Sequence, residues 1–235
     1  MKIQIFDYSI ERIEAGLIRQ WLPKDAEVLT HYIDSEESFP LETEEVTHII
    51  HSGSSLSIRE KAPFTERAIE SVRTARDKSI PQMGICYGHQ LICLALVGEQ
   101  AVQRSAKGLE VGWGEVAFRE GATQIPGTSS QEKIWQHHFD EVIILPEGSE
   151  LIATGKHTPI QAFVNFRHRL FGTQFHPEFD RERGNRFFLE DRKLIESHQY
   201  RVDEIIQSGP SLNAGQIFFS FFLNFFNQKP ISSPF

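Results

Sequence analysis

The chain has 235 residues, with 24 Lys and Arg against 32 Asp and Glu and a formal net charge of −8. Acidic and basic residues interleave, so there is no basic footprint of the kind that holds nucleic acid. The two cysteines, Cys86 and Cys93, match no metal or redox spacing and are too few for a disulfide scaffold, which points to a reducing compartment.

Ile3 and Ile5 mark a first strand. Met1–Asp7 as a whole is too short and too polar for a signal peptide, and no window approaches the roughly 18 apolar residues of a membrane span. A cytoplasmic protein without a membrane segment is expected. Ser9 is placed to cap a helix through Trp21, because Ile10, Ile13, Leu17 and Trp21 recur at helical spacing. A second strand is expected over 27–33, an acidic loop over 34–45, and a third strand over 46–50 that ends at Ser52-Gly53-Ser54. Helical pattern resumes over 64–75, and 80–85 reads as a fourth strand. This strand–helix alternation predicts an α/β fold, flavodoxin-like, with a mostly parallel sheet flanked by helices. Ligands bind such sheets at the C-terminal ends of the strands.

From about residue 100 the pattern changes to short strands, at 101–104, 113–118, 133–136, 151–154, 160–166 and 170–175, punctuated by glycines. A hairpin-rich, mixed-sheet extension follows. The last third reads as helix: a charged amphipathic stretch over 183–207, a break at Ser208-Gly209-Pro210, and a final helix capped by Asn213. That helix carries six phenylalanines between Phe218 and Phe226, which suit a core helix but spread over more than one face. With no linker in the pattern, residues 1–235 are expected to form one domain.

Chemistry concentrates at Gly84-Ile85-Cys86-Tyr87-Gly88-His89-Gln90. An apolar run, a G-x-C-x-G turn and the apolar 91–96 stretch describe a nucleophile elbow, which lifts a reactive side chain at the end of a strand. Cys86 at the apex is expected to be a thiolate nucleophile stabilised by the N-terminus of the following helix. Cys93, two turns on within the apolar run, reads as core, and His89 as packing or capping near the helix start. Far downstream, Phe175-His176-Pro177-Glu178 follows another strand-like run. Extended backbone puts His176 and Glu178 on one side of the chain, where Glu178 can orient an imidazole that takes the Cys86 proton.

C-Y-G-H-Q followed by F-H-P-E resembles the class I glutamine amidotransferases, the Cys-His-Glu group that includes the amidotransferase domain of GMP synthase. The resemblance runs over nearly the whole chain. It implies Cys86 as nucleophile, His176 as general base and acid, Glu178 as the orienting carboxylate, and Gln90 as a residue that helps hold the substrate glutamine. Trp135-Gln136-His137-His138-Phe139-Asp140 is similar to the family's S-H-G-D stretch, so His138 and Phe139 are expected to line the pocket and His137 to be solvated or packing. The oxyanion would be held by backbone N–H groups of Tyr87 and of Gly53 and Ser54. Ser54 stands where the GMP synthase branch has a second glycine, and a positive φ there would carry a cost.

Three functions remain open on these residues. The first is a glutaminase that forms a γ-glutamyl thioester and releases ammonia to a separate synthetase. The second is a γ-glutamyl peptidase, and the third is a non-catalytic regulatory protein that keeps the fold. No cofactor or metal is expected: the adjacent His137 and His138 point to opposite faces of a strand, and no G-x-x-x-x-G-K-[ST] motif occurs. The expected partners are a small-molecule substrate, a separate synthetase subunit, and a second copy in a homodimer.

Overall fold

The computed structural model describes residues 1–40 and 45–226. Residues 41–44 of the expected acidic loop lie outside the described residues. Along the chain run β1 (Lys2–Asp7), α1 (Glu14–Arg19), β2 (Glu27–Tyr32), β3 (His48–His51), α2 (Thr65–Asp77), β4 (Gln82–Ile85) and α3 (Tyr87–Val97). Then come β5 (Val102–Arg104), β6 (Glu110–Phe118), β7 (Gln131–His138), β8 (Asp140–Val142), β9 (Glu150–Gly155), β10 (Ala162–Asn165) and β11 (Leu170–Thr173). Four helices close the described chain: α4 (Arg181–Glu190), α5 (Arg192–Ser197), α6 (Val202–Ser208) and α7 (Ala214–Phe225).

The main sheet has nine strands in the order β2-β1-β3-β4-β11-β10-β9-β6-β7. Its first five strands are parallel to one another, and from β11 outward each pairing is antiparallel. This is the expected α/β architecture with its mixed-sheet extension. Because β11 returns beside β4, with Gly172 level with Gly84, the loops after β3, β4 and β11 emerge side by side at one edge. That adjacency brings together residues far apart in sequence.

Apolar side chains cover both faces of the sheet. Ile3, Ile5, Ile50 and Ile85 pack with Ile18 of α1 and with Phe218, Phe219 and Phe222 of α7. Phe6 and Ile49 pack on the other face with Val72 of α2 and with Leu91, Ile92 and Cys93 of α3. Cys93 is therefore a core residue, as expected. The phenylalanines of α7 that spread round the helix, Phe218, Phe219, Phe221 and Phe222, are all buried. Packing, rather than an open docking face, accounts for them. A third cluster, with Trp113, Trp135, Phe179, Phe188 and Ile205, seats α4 and α6 on the antiparallel end of the sheet.

Two helices differ from expectation for local reasons. The helix expected over 9–21 begins only at Glu14, because Arg12 adopts φ 56°, a conformation no α-helix passes through. The stretch expected as one helix over 183–207 is three, with Gln199 at φ 67° before α6. Asn213 does cap α7, its side chain accepting from the Gln216 N–H at 3.2 Å. The three-residue strand β8 is too short to produce a periodicity signal, and the sequence pattern did not anticipate it.

Candidate active site

Cys86 sits between β4 and α3 with φ 47° and ψ −100°, outside the regions that L-residues populate readily. Neighbours hold it there. Its N–H donates to the Thr173 carbonyl at 2.8 Å, its carbonyl accepts from Gln90 N–H at 3.0 Å, and the Gly88 N–H donates to the Ser52 carbonyl at 3.0 Å. The elbow is thus bonded to the strand ends on both sides. Gly88 is required by contact: a Cβ there would lie 2.2 Å from the His51 carbonyl oxygen.

The backbone strain turns the Cys86 side chain toward a cavity of about 480 Å³ that it shares with Glu14, Ser54, Gln90, Trp135, His138, Phe139 and His176. His176 follows β11, and its N–H is pinned to the Trp135 carbonyl at 2.9 Å. Its ring meets Trp135 edge-on at 4.8 Å. Nδ1 lies 2.5 Å from Glu178 Oε1; with the carboxylate accepting from Nδ1–H, Nε2 is the acceptor of the ring. Nε2 is buried and has no hydrogen-bond partner among the described residues. A buried acceptor with nothing to bond is poised for a proton.

Burial sets the charges. It lowers His176 to about 4 and pushes Glu178 upward, while a hydrogen bond with Glu14 pulls Glu178 back down. Burial first, and then the negative charges of Glu178 and Glu14, push the Cys86 thiol up, against the opposing pull of the Tyr87 N–H. Burial therefore works against the thiolate expected from the helix N-terminus. Desolvation outweighs one backbone donor.

The sequence-derived site residues fall as follows. Cys86 and His176 line the cavity together with Ser54, Gln90, His138 and Phe139, and Glu178 lies behind His176 at its Nδ1. Gly53 lies against the imidazole, where a Cβ would be 2.7 Å from Cε1. Tyr87 begins α3, so its N–H has no helical partner. Ser54 is not among the residues with positive φ; its hydroxyl donates to the Tyr8 carbonyl at 2.9 Å and accepts from Leu56 N–H at 3.1 Å. The cost expected at Ser54 does not arise. Gln90 is engaged with protein, its Nε2 donating to the Asp140 carbonyl at 2.9 Å and to Gln174 Oε1 at 3.2 Å. His138 faces Glu110 at 3.2 Å. His137, expected to be solvated or packing, also lines the cavity and lies 3.6 Å from Asp191. His89 packs on Phe163 at 5.4 Å, in the packing role expected of it.

Three further residues were missed. Gln174 places Nε2 3.6 Å from Cys86 Sγ; the alternation that pairs His176 with Glu178 also includes it, two residues earlier. Arg104 holds its guanidinium 4.0 Å over the Phe139 ring at the cavity wall. Glu14 reaches the cavity from α1, and no local pattern in the sequence announces it. Carboxylate oxygens of Glu14 and Glu178 and a ring nitrogen of His176 lie within 4.8 Å of one another. Among the described residues, no helix is long and apolar enough to cross a membrane.

Comparison with known proteins identifies the family. The profile of the class-I glutamine amidotransferase family matches residues 9–195. Over 141 residues the chain is 34% identical to a subunit of the glutamine-hydrolyzing GMP synthase of Saccharolobus solfataricus, covering 60% of this chain and 72% of that one. It is 37% identical over 101 residues to the glutamine-hydrolyzing GMP synthase of Clostridium kluyveri, a match spanning 43% of this chain but 19% of the relative. The chain therefore accounts for a small part of the longer relatives. A glutamine amidotransferase from Thermotoga maritima superposes with a TM-score of 0.79 over 97% of this chain and 99% of its own, at 19% identity.

Proposed function

The chain belongs to the class-I glutamine amidotransferases, and from that premise we propose that it hydrolyses the side-chain amide of glutamine through a Cys86 thioester, releasing ammonia. One observation carries the reading: an imidazole whose Nδ1 is tied to Glu178 while its buried Nε2 has no partner among the described residues, in a cavity it shares with a strained Cys86.

In this reading the γ-carbonyl carbon of the substrate approaches Sγ, and His176 Nε2 takes the thiol proton as the C–S bond forms. Charge develops on the carbonyl oxygen, and the Tyr87 N–H and the Gly53–Ser54 backbone meet it there. The imidazolium, held by Glu178, gives its proton to the departing nitrogen and the C–N bond breaks. Water then attacks the thioester, His176 again accepting its proton, and glutamate leaves. Gln90 orders the pocket through Asp140 and Gln174 rather than by a free amide. The Saccharolobus solfataricus relative is one subunit of a GMP synthase, which supports a partner synthetase that consumes the ammonia.

A second reading has its own support. Phe139, Phe179, Phe187 and Leu194 give the cavity an apolar outer wall, and a hollow of about 490 Å³ adjoins it across Ser9, Leu56 and Ser57. That room suits a γ-glutamyl peptide or conjugate, whose leaving group is bulkier than ammonia. The test is glutamate release from L-glutamine and from a panel of γ-glutamyl peptides, with Cys86→Ala as control. Release from glutamine by the unmutated protein alone supports the first reading, and release confined to the peptides supports the second. Failure of both, with the protein folded, refutes an independent hydrolase.

A further inference from the structure

Glu14 takes no part in the chemistry described so far, yet it is 6% exposed and lies in the wall of the catalytic cavity. It stands in the first turn of α1, steered there by Asp7. One Asp7 oxygen accepts from the Ser9 N–H and the other from the Ala15 N–H at 2.8 Å, so the end of β1 fixes where the turn begins.

The surroundings of its carboxyl group are unusual. Glu14 Oε2 and Glu178 Oε2 are both buried and neither receives a hydrogen bond from any N–H or hydroxyl of the described residues. The two carboxyls lie within 4.8 Å of each other and of a His176 ring nitrogen. Glu178 Oε1 is already occupied by His176 Nδ1. Two ionised carboxylates so close, out of water and without donors, repel each other with little screening, and such a pair keeps one proton. The groups facing Glu14 are Glu178 and His176 from the loop after β11, Asp7 from β1, and Cys86 at the elbow. None of them is a fixed cation that would hold both carboxylates ionised.

We propose that Glu14 is a positioning residue that shares a proton with Glu178, so that Glu178 is held as a single-anion acceptor aimed at His176 Nδ1. The relay then reads Glu14 O–H to Glu178, Glu178 to His176 Nδ1–H, and His176 Nε2 toward the Cys86 thiol. Burial, followed by the charge of Glu178, raises Glu14 well above the ordinary carboxylate range, in agreement with a proton on Glu14. The shared proton has two consequences. It orients Glu178, which otherwise has one oxygen without a donor, and it keeps a second negative charge away from the thiol while Cys86 must ionise.

The inference rests on Cys86 and His176 being the reactive pair, so its test includes a readout that does not depend on the substrate. Wild type, Glu14→Gln and Glu14→Leu would be compared in the rate of Cys86 alkylation by iodoacetamide from pH 5 to 10, and in kcat and KM for whichever γ-glutamyl compound is hydrolysed. In the wild type the logarithm of the alkylation rate should rise with pH and then flatten where the pair loses its last proton, because the new charge opposes the thiolate. Glu14→Gln keeps a donor but cannot ionise. It should lose that break and keep kcat within about fivefold. Glu14→Leu supplies no donor and should lower kcat by about a hundredfold with KM changed by less than threefold, as expected when a catalytic group is about an ångström out of place.

A break that persists unchanged in Glu14→Gln overturns the proposal. So does a Glu14→Leu protein with wild-type kcat. Should Glu14→Leu fail to fold, the presence or absence of the break in Glu14→Gln decides alone. A folded wild type whose Cys86 resists alkylation at every pH refutes instead the catalytic reading on which the proposal stands.

Discussion

Gly53→Ala is the most demanding test of the geometry, because it adds one methyl group at a known distance from the base. The backbone at Gly53 is not in the left-handed region, so alanine brings no conformational penalty of its own. The added Cβ would sit 2.7 Å from His176 Cε1, 3.3 Å from Nδ1 and 3.6 Å from the Glu14 carboxyl carbon. Ordinary carbon contacts begin near about 3.5 Å, so the imidazole must retreat by about 0.8 Å. It has little room, with the Trp135 ring 4.8 Å away and the Phe179 ring at 5.7 Å. The ring must tilt, and either the 2.5 Å bond to Glu178 lengthens or Nε2 turns off the thiol. A misplacement of about 1 Å costs on the order of 10²-fold in rate, equivalent to about 2.7 kcal/mol at the transition state. The expected outcome is kcat lowered about a hundredfold, KM changed little, and a melting temperature within a few degrees of the parent. Steady-state glutamate release and a thermal melt measure both. A Gly53→Ala enzyme with kcat within threefold of the parent would refute the placement of His176 against this loop.

Three more outcomes follow from burial and strain. The acid limb of kcat/KM should lie well below the ordinary imidazole value of about 6.5, because burial lowers His176 to about 4 and the base is active only when neutral; a limb at or above 6.5 in a pH–rate profile contradicts this. His89 is buried with neither ring nitrogen hydrogen-bonded among the described residues, and burial lowers it to about 3. The unfolded chain then binds a proton that the native state refuses. The resulting stability is fully present above about pH 6.5 and is lost at up to about 1.4 kcal/mol per unit as pH falls toward 3. His89→Leu should flatten that slope in urea titrations across this range, and an unchanged slope counts against a neutral buried ring. Cys86→Gly should abolish turnover yet cost less than about 2 kcal/mol of stability, since glycine adopts φ 47° freely and strain of this kind is worth about 1–3 kcal/mol; a severe loss in chemical denaturation would mean that the elbow is not strained.

How much of this was legible in the sequence varies with the range of the interaction. The elbow was legible because its signal is local: a strand, a turn with glycine where His51 leaves no space for a Cβ, and an apolar helix. His176 and Glu178 were legible because extended backbone puts alternate residues on one side, and the same rule would have found Gln174. Glu14 was not legible. Its side chain meets Glu178 only because β1 and β11 lie in one sheet with their ends level, and that depends on strand order, which no spacing in the chain encodes. The length of α1 was misjudged for a related reason. The apolar spacing from Ile10 to Trp21 was sound, but Asp7 draws Ser9 and Ala15 inward, and Arg12 takes the left-handed turn that follows.

Charge in the resting site follows from the same enclosure. A thiolate and an imidazolium at the elbow would each have to be taken out of water, and their mutual attraction recovers that cost only with good geometry and further donors. Here the directions agree: the thiol is pushed up and the imidazole down, both chiefly by burial. The neutral thiol–imidazole pair is then the stable form. Proton transfer to Nε2 becomes favourable when an electrophilic carbon is in place to accept the sulfur electrons, since the negative charge passes at once to an oxygen beside the Tyr87 N–H. Glu178 meanwhile faces the imidazolium that forms. Such a site discriminates by what it lets ionise: an alkylating reagent without an amide carbonyl at the reacting carbon should react slowly at neutral pH, while an electrophilic γ-glutamyl analogue that fills the cavity should react faster by orders of magnitude. Comparing the inactivation rates of iodoacetamide and a γ-glutamyl chloroketone at pH 7 measures that selectivity, and equal rates after correction for intrinsic reactivity would show that the thiol is ionised before substrate arrives.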